Sequence, residues 1–279
     1  MTSQALARPR PTRTASGWFS VLLAVALAVT LLFLGLPVLA LFVDVSPGDL
    51  LSSLGHSASL DALRLSLETS SISLALIIVV GTPAAWMLAT RDFRLKPLVV
   101  TLVELPLVLP PAAAGIALLA ALGPHGIAGS LLDDAGITLV LTTAGVVVAI
   151  TFVASPFYIR QAQASFEALD PRLLEAARTL GASEGRRFTR VAIPLARNGL
   201  LAGAALAWGR ALGEFGATLM FAGSLRGVTQ TAPLALYERF ATDFPGAIAL
   251  AAVLLAVSAA VLVAIKLATR SGRDAAGRP

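Results

Sequence analysis

Three charged side chains lie inside strongly apolar sequence: Glu104, Arg210 and Glu214. A charge at membrane depth is costly, so it faces protein or water and marks either a pathway or a buried ion pair. Arg210 and Glu214 are four residues apart and would share one face of a helix. A second group lies in the polar segment 160–197, which carries Glu175-Ala176-Ala177, Leu180-Gly181 and Ile193-Pro194. Covalent chemistry has little to work with. There is no cysteine, and His56 and His125 stand alone in polar stretches. Neither a phosphate-binding G-x-x-x-x-G-K-[ST] loop nor an H-E-x-x-H zinc motif occurs. No catalytic residue, metal-ligand set or cofactor bound by this chain is expected, and ATP hydrolysis is not expected of it.

The elements that must position these residues follow from composition. Of 279 residues, 57% are hydrophobic and 13% charged, whereas soluble domains carry about 25% charged residues. The apolar residues come in blocks of about 20, the length that crosses a bilayer as a helix. Without ten-residue alternation a lipid-facing barrel is excluded in favour of helices. The fold class is therefore all-α, a polytopic membrane protein with six transmembrane helices. The expected spans are 18–43, 69–90, 97–122, 138–158, 198–222 and 245–268. A cleaved signal peptide is the alternative for the first, but the run is too long and lacks a small-x-small cleavage site.

Charge placement orients the chain. Of 21 Lys and Arg, 17 fall in the first 17 residues, the 91–96 loop, the 160–197 segment and the tail; three fall in the opposite loops, and Arg210 lies within a span. The positive-inside rule then puts both termini and the long loop in the cytoplasm. The same placement argues against nucleic-acid binding despite a net charge of +5. The expected organisation is a disordered cytoplasmic arm (1–17), one membrane domain (18–268) and a cytoplasmic tail (269–279).

Asp170-Pro171 is a strong helix start, the Asp as N-cap and the Pro at the first helical position. Gly181 suits the left-handed residue that ends a helix. Ser183 can cap a second helix from Glu184, with Pro194 either breaking it or starting the next span at a new angle. Leu173, Ala176, Ala177 and Leu180 share one face, and its small alanines permit close approach by a partner. An ordinary amphipathic helix on the lipid surface is the plainer alternative.

Glu175-Ala176-Ala177, three residues, Gly181, nine residues and Val191-Ala192-Ile193-Pro194 together resemble the EAA motif of permease subunits of bacterial ABC importers. Val191 and Ile193 replace the family's Ile and Leu. The resemblance implies that residues 175–181, with Leu180 and Pro194, form a coupling helix between spans four and five that docks on an ATPase subunit. Leu105-Pro106-Leu107-Val108-Leu109-Pro110-Pro111, Arg210-Ala211-Leu212-Gly213-Glu214-Phe215-Gly216-Ala217-Thr218 and Thr229 through Tyr237 resemble the molybdate permeases, with sulfate and tungstate permeases close by. What this implies is a homodimer in a bacterial cytoplasmic (inner) membrane, two ATPase subunits carrying ATP and magnesium, and a periplasmic or lipid-anchored oxyanion-binding protein. An ion-driven secondary transporter would need paired broken helices in two halves, and a membrane scaffold would leave the motif unused.

Counting inward at 1.5 Å per residue puts Arg210 roughly 18 Å deep, Glu214 roughly 24 Å and Glu104 about 10 Å. An Arg210–Glu214 ion pair is the expectation, the alternative being an Arg210 that faces an oxyanion pathway; Glu104 needs another partner or water. Gly199-x-x-x-Gly203 and Gly209-x-x-x-Gly213 allow close helix contact in lipid, either at a dimer seam or pore wall or within the subunit. Pro106, Pro110 and Pro111 should kink the third span, as a gate or a bend.

Overall fold

The computed structural model of the protein describes residues 17–43, 48 and 57–276, with side chains through Ala264. The expected arm short of Gly17, His56 and the last three tail residues lie outside the described residues. Two units are distinguished, residues 1–46 and 47–279. The first contains α1 (Gly17–Val43). Its 27 residues span about 40 Å, enough to cross a bilayer. Its Thr30 hydroxyl donates to its own Ala26 carbonyl at 2.8 Å, which satisfies that hydroxyl within the helix.

The second unit is built around three long helices. α2 (Ser57–Thr90) starts well before the expected span at 69. α3 (Lys96–Val108) and α4 (Pro111–Leu122) replace the expected third span. A short α5 (Gly129–Asp134) occupies the next loop. α6 (Thr143–Glu167) carries the fourth span past Tyr158 and through the first residues of the segment read as polar loop. Then come α7 (Pro171–Thr179), α8 (Glu184–Arg187), a π-helical turn (Phe188–Ala192) and α9 (Ile193–Leu212). α10 (Gly216–Ala222), α11 (Ala232–Thr242) and α12 (Phe244–Ala276) complete it. Among the described residues, five helices are long and apolar enough to cross a membrane: 17–43, 57–90, 143–167, 184–212 and 244–264.

α2, α6 and α9 form the core. Ile77, Ala85, Val146, Ile150, Ala154, Tyr158, Ala204 and Ala207 are among its buried side chains. Small residues let the backbones approach, since lipid supplies little hydrophobic force between helices. α2 contributes a buried stripe of Ser59, Ser66, Thr69, Ser70 and Ser73. Ser73 Oγ donates to Val147 O on α6 at 3.1 Å, and Ser66 Oγ accepts the Ala232 N–H at 2.7 Å. Thr82 and Tyr158 hydroxyls meet at 2.7 Å. A second cluster joins α4 and α10 to α6 through Ala114, Leu118, Val153 and Phe221.

Two expected spans are discontinuous. The third breaks at Leu109-Pro110, both extended with ψ of 131° and 137°. Each precedes a proline, which disfavours the helical region, and neither Pro110 nor Pro111 has an N–H to bridge the gap. The expectation of a kink is thus corrected to a break at Pro110-Pro111, while Pro106 stays buried inside α3. The fifth span breaks at residues 213–215, between α9 and α10. In the other direction it is helical back to Glu184, so Pro194 does not end a helix but lies in the first turn of α9, directly after the π turn. The preceding turn widens instead: the Ile193 N–H bonds Phe188 O, five residues back. This widening takes up a proline ring that would otherwise press on the carbonyl four residues earlier.

Candidate functional site

The turn after α7 forms as its residues dictate. Asp170 Oδ1 accepts the Arg172 N–H at 2.9 Å and Pro171 opens the helix. At the other end Ala182 N bonds Ala177 O at 3.0 Å and Gly181 N bonds Arg178 O at 2.9 Å. That pair of bonds is a Schellman ending, which requires a left-handed residue; Gly181 has φ +79°. Leu174 packs on the α2–α6–α9 core, while Leu173, Glu175, Ala176 and Leu180 are exposed and Ala177 is half-buried. Leu180 is 87% exposed. The shared face read from the sequence is largely an open apolar face.

The base of this unit is anchored. Trp86 of α2, Phe166 of α6 and Phe188 of the π turn stack with ring centres 5.3 to 6.2 Å apart. Arg91 grips both Glu184 oxygens through Nη2 at 2.6 and 2.7 Å. Between α7 and the ends of α2 and α6 lies a cleft of about 670 Å³, whose lining includes Glu167, Leu174, Glu175, Arg178 and Arg187. Trp86, Arg91 and Glu184 were not singled out in sequence. Their pairing joins distant segments and carries no local signal.

Arg210 and Glu214 do meet, with Nη2 2.6 Å from Oε2. The approach is poorly aligned for a hydrogen bond, so the attraction is chiefly Coulombic. The expectation that they share one helix is corrected: α9 ends at Leu212, between them. Glu214 sits in the break, 1% exposed, and its Oε1 accepts the Ala217 N–H at 2.7 Å in the first turn of α10. This carboxylate therefore pairs with Arg210 in the last turn of α9 and caps an N–H in the first turn of α10. Glu104 finds its partner in Arg160, with Nε 2.8 Å from Oε1. Arg160 was missed because it was assigned to a loop; on α6, residues 160, 163 and 167 fall on one face.

The glycine repeats separate. A Cβ on Gly199 would lie 2.0 Å from Ser165 Oγ and 2.7 Å from Ser165 Cβ, and one on Gly203 would lie 3.1 Å from Gln161 Cβ. Both therefore serve packing of α9 on α6. Gly209 has nothing within 4 Å, and Gly213 only the Gly209 carbonyl at 3.7 Å. Gly216 brings α10 onto the other break, where an added Cβ would lie 2.7 Å from Pro111 Cβ. The two breaks are thus side by side. His125 is exposed, and no group of three metal-ligating side chains occurs among the described residues.

Long apolar helices, two adjacent breaks and an exposed helix–turn unit between two spans define a class: a multi-pass membrane protein. The comparisons narrow it. Residues 78–271 match the family described as the binding-protein-dependent transport system inner membrane component. The molybdenum transport system permease protein ModB of Mycobacterium tuberculosis is 39% identical over 244 residues, covering 88% of this chain and 92% of that one. ModB of Escherichia coli K12 is 36% identical over 220 residues, covering 78% and 96%. A solved bacterial ABC transporter that imports the acidic polysaccharide alginate superposes with a TM-score of 0.73 at 18% identity, covering 91% of this chain and 96% of that one. This chain belongs to the binding-protein-dependent transport system inner membrane component family. It is an inner-membrane transport subunit, not an enzyme.

Proposed function

We propose that the chain is the permease subunit of an ABC importer that moves molybdate across the cytoplasmic membrane, powered by ATP hydrolysis on a separate subunit. The observation that carries the substrate is the similarity to molybdenum permeases over nearly the whole chain. The exposed apolar face of α7 beside a Schellman-closed turn supports docking of the ATPase through Glu175, Ala176, Ala177, Leu180 and Gly181. Six crossings complete the subunit, with the broken α3–α4 pair as the third, and both termini are cytoplasmic. Two copies of the chain, two ATPase subunits and an external oxyanion-binding protein form the working assembly. Arg210 is held by Glu214 as a brace at the break of the fifth span and does not contact the anion. Pro110 and Pro111 give the third span its moving joint.

The test is reconstitution of the chain with its ATPase and binding protein in liposomes. Molybdate, tungstate and sulfate are supplied in turn, and uptake and ATP hydrolysis are followed. Stimulation by molybdate is expected. Stimulation by sulfate alone would reassign the substrate, and failure to copurify any ATPase would overturn the importer reading.

A further inference from the structure

A polar chain runs along α6 between the broken third span and the cleft beneath α7. Glu104 Oε1 on α3 lies 2.8 Å from Arg160 Nε. Arg160 Nη1 donates to Gln163 Oε1 at 2.7 Å, and Gln163 Nε2 donates to Glu167 Oε1 at 2.8 Å. Gln163 is 5% exposed. Its amide orientation follows from its neighbours, the oxygen toward the guanidinium and the nitrogen toward the carboxylate. Glu167 lines the cleft together with Glu175 and Arg178 of α7.

We infer that Arg160 and Gln163 are positioning residues that transmit movement of the α7 unit to α3. The inference rests on the importer reading above. Three features make the chain suited to it. Glu104–Arg160 is the one ion pair joining α3 to another helix among the described residues. The break at Leu109-Pro110 frees α3 from α4: Leu109 N closes α3 on Leu105 O, and Ala114 N opens α4 on Pro110 O. α4 is meanwhile pinned to α10, where a Cβ on Gly115 would lie 2.7 Å from Ala217 O. A shift at the α7 end therefore moves α3 as a short lever about Pro110, while α4 stays with the core. Both hydrogen bonds to the buried Gln163 amide are charge-assisted, and so stronger than bonds between neutral groups.

The test uses the complete reconstituted importer with molybdate and compares uptake per ATP hydrolysed. Glu104→Gln is a half-exposed, isosteric change that spares the fold, and Gln163→Met cuts the middle of the chain at similar volume. Both are expected to copurify with the ATPase and to hydrolyse ATP normally, while uptake per ATP falls roughly three- to tenfold. The exchange Glu104→Arg with Arg160→Glu rebuilds the first link but turns the Gln163 carbonyl toward Glu167. Adding Glu167→Lys completes the reversed chain and is expected to restore the ratio. An unchanged ratio in both single variants, or a parallel loss of uptake and hydrolysis, would overturn the inference alone. Absence of ATP-driven uptake by the unaltered assembly would instead overturn the importer reading and this inference with it.

Discussion

Exchanging Arg210 and Glu214 is expected to fail as a rescue, although the two residues form an ion pair. Removing either partner of a buried pair costs about 3–5 kcal/mol through the charge left behind. The exchange returns opposite charges to one another, and a simple ion pair would recover. Glu214 has a second task, since its Oε1 accepts the Ala217 N–H at 2.7 Å. Arginine at 214 has only donors there, which leaves that N–H unpaired at about 1–3 kcal/mol. It also forces a longer side chain into a site that is 1% exposed, for about another 1–3 kcal/mol. Glu214→Gln keeps an acceptor for Ala217 and leaves Arg210, itself 26% exposed, able to reach water. The expected order of stability is wild type, then Glu214→Gln, then the exchange, with the exchange melting roughly 5 °C or more below wild type. Tryptophan fluorescence melting of the detergent-purified chain reads the order, and uptake in liposomes reads the consequence. An exchanged protein with wild-type melting and uptake would refute the capping role.

At Gly181 a Cβ has open space but φ is +79°, so the penalty is one of backbone strain. Gly181→Ala is expected to weaken ATP-driven uptake modestly, at about 1–2 kcal/mol, and Gly181→Val severely because its branched Cβ tolerates this region least; normal uptake by the Val variant contradicts the coupling role. Gly199→Ala is expected to lower the melting temperature through its clash with Ser165, whereas Gly209→Ala, with nothing within 4 Å, leaves the isolated chain unchanged or slightly firmer. On α11, the hydrogen bond from Arg226 holds the Glu238 carboxyl below its usual range, aided by Gln230 and opposed by burial. A depressed carboxylate stabilises the fold at neutral pH and loses that contribution as pH falls through its folded value. Titration of labelled glutamate in the detergent-purified chain should find Glu238 low, and Arg226→Gln should raise it; an unmoved titration would show that the pair is not formed.

The parts legible in sequence are those that local chemistry decides. Blocks of apolar residues had to be helical because lipid offers no partner for a free backbone group. Asp170-Pro171 and Gly181 bounded α7 correctly, since a side-chain cap and a left-handed glycine act within a few residues. Arg210 and Glu214 could be paired from spacing, although α9 ends between them. The proline pair announced a disturbance in the third span, and two consecutive residues before prolines turned it into a break.

The tertiary structure decided what depends on distant neighbours. α6 runs on through Arg160 to Glu167 because its last turns pack Ala162 and Phe166 into the shared core, which pattern alone does not reveal where the sequence turns polar. Glu104 gained Arg160 across two helices, and only Gly199-x-x-x-Gly203 met a facing helix. Glu214 became a cap because its carboxylate lies in a gap between two helices. Caps, turns and breaks are written in local motifs that backbone chemistry enforces. The partners of its charges are set by which helices come to lie side by side, and that is a property of packing.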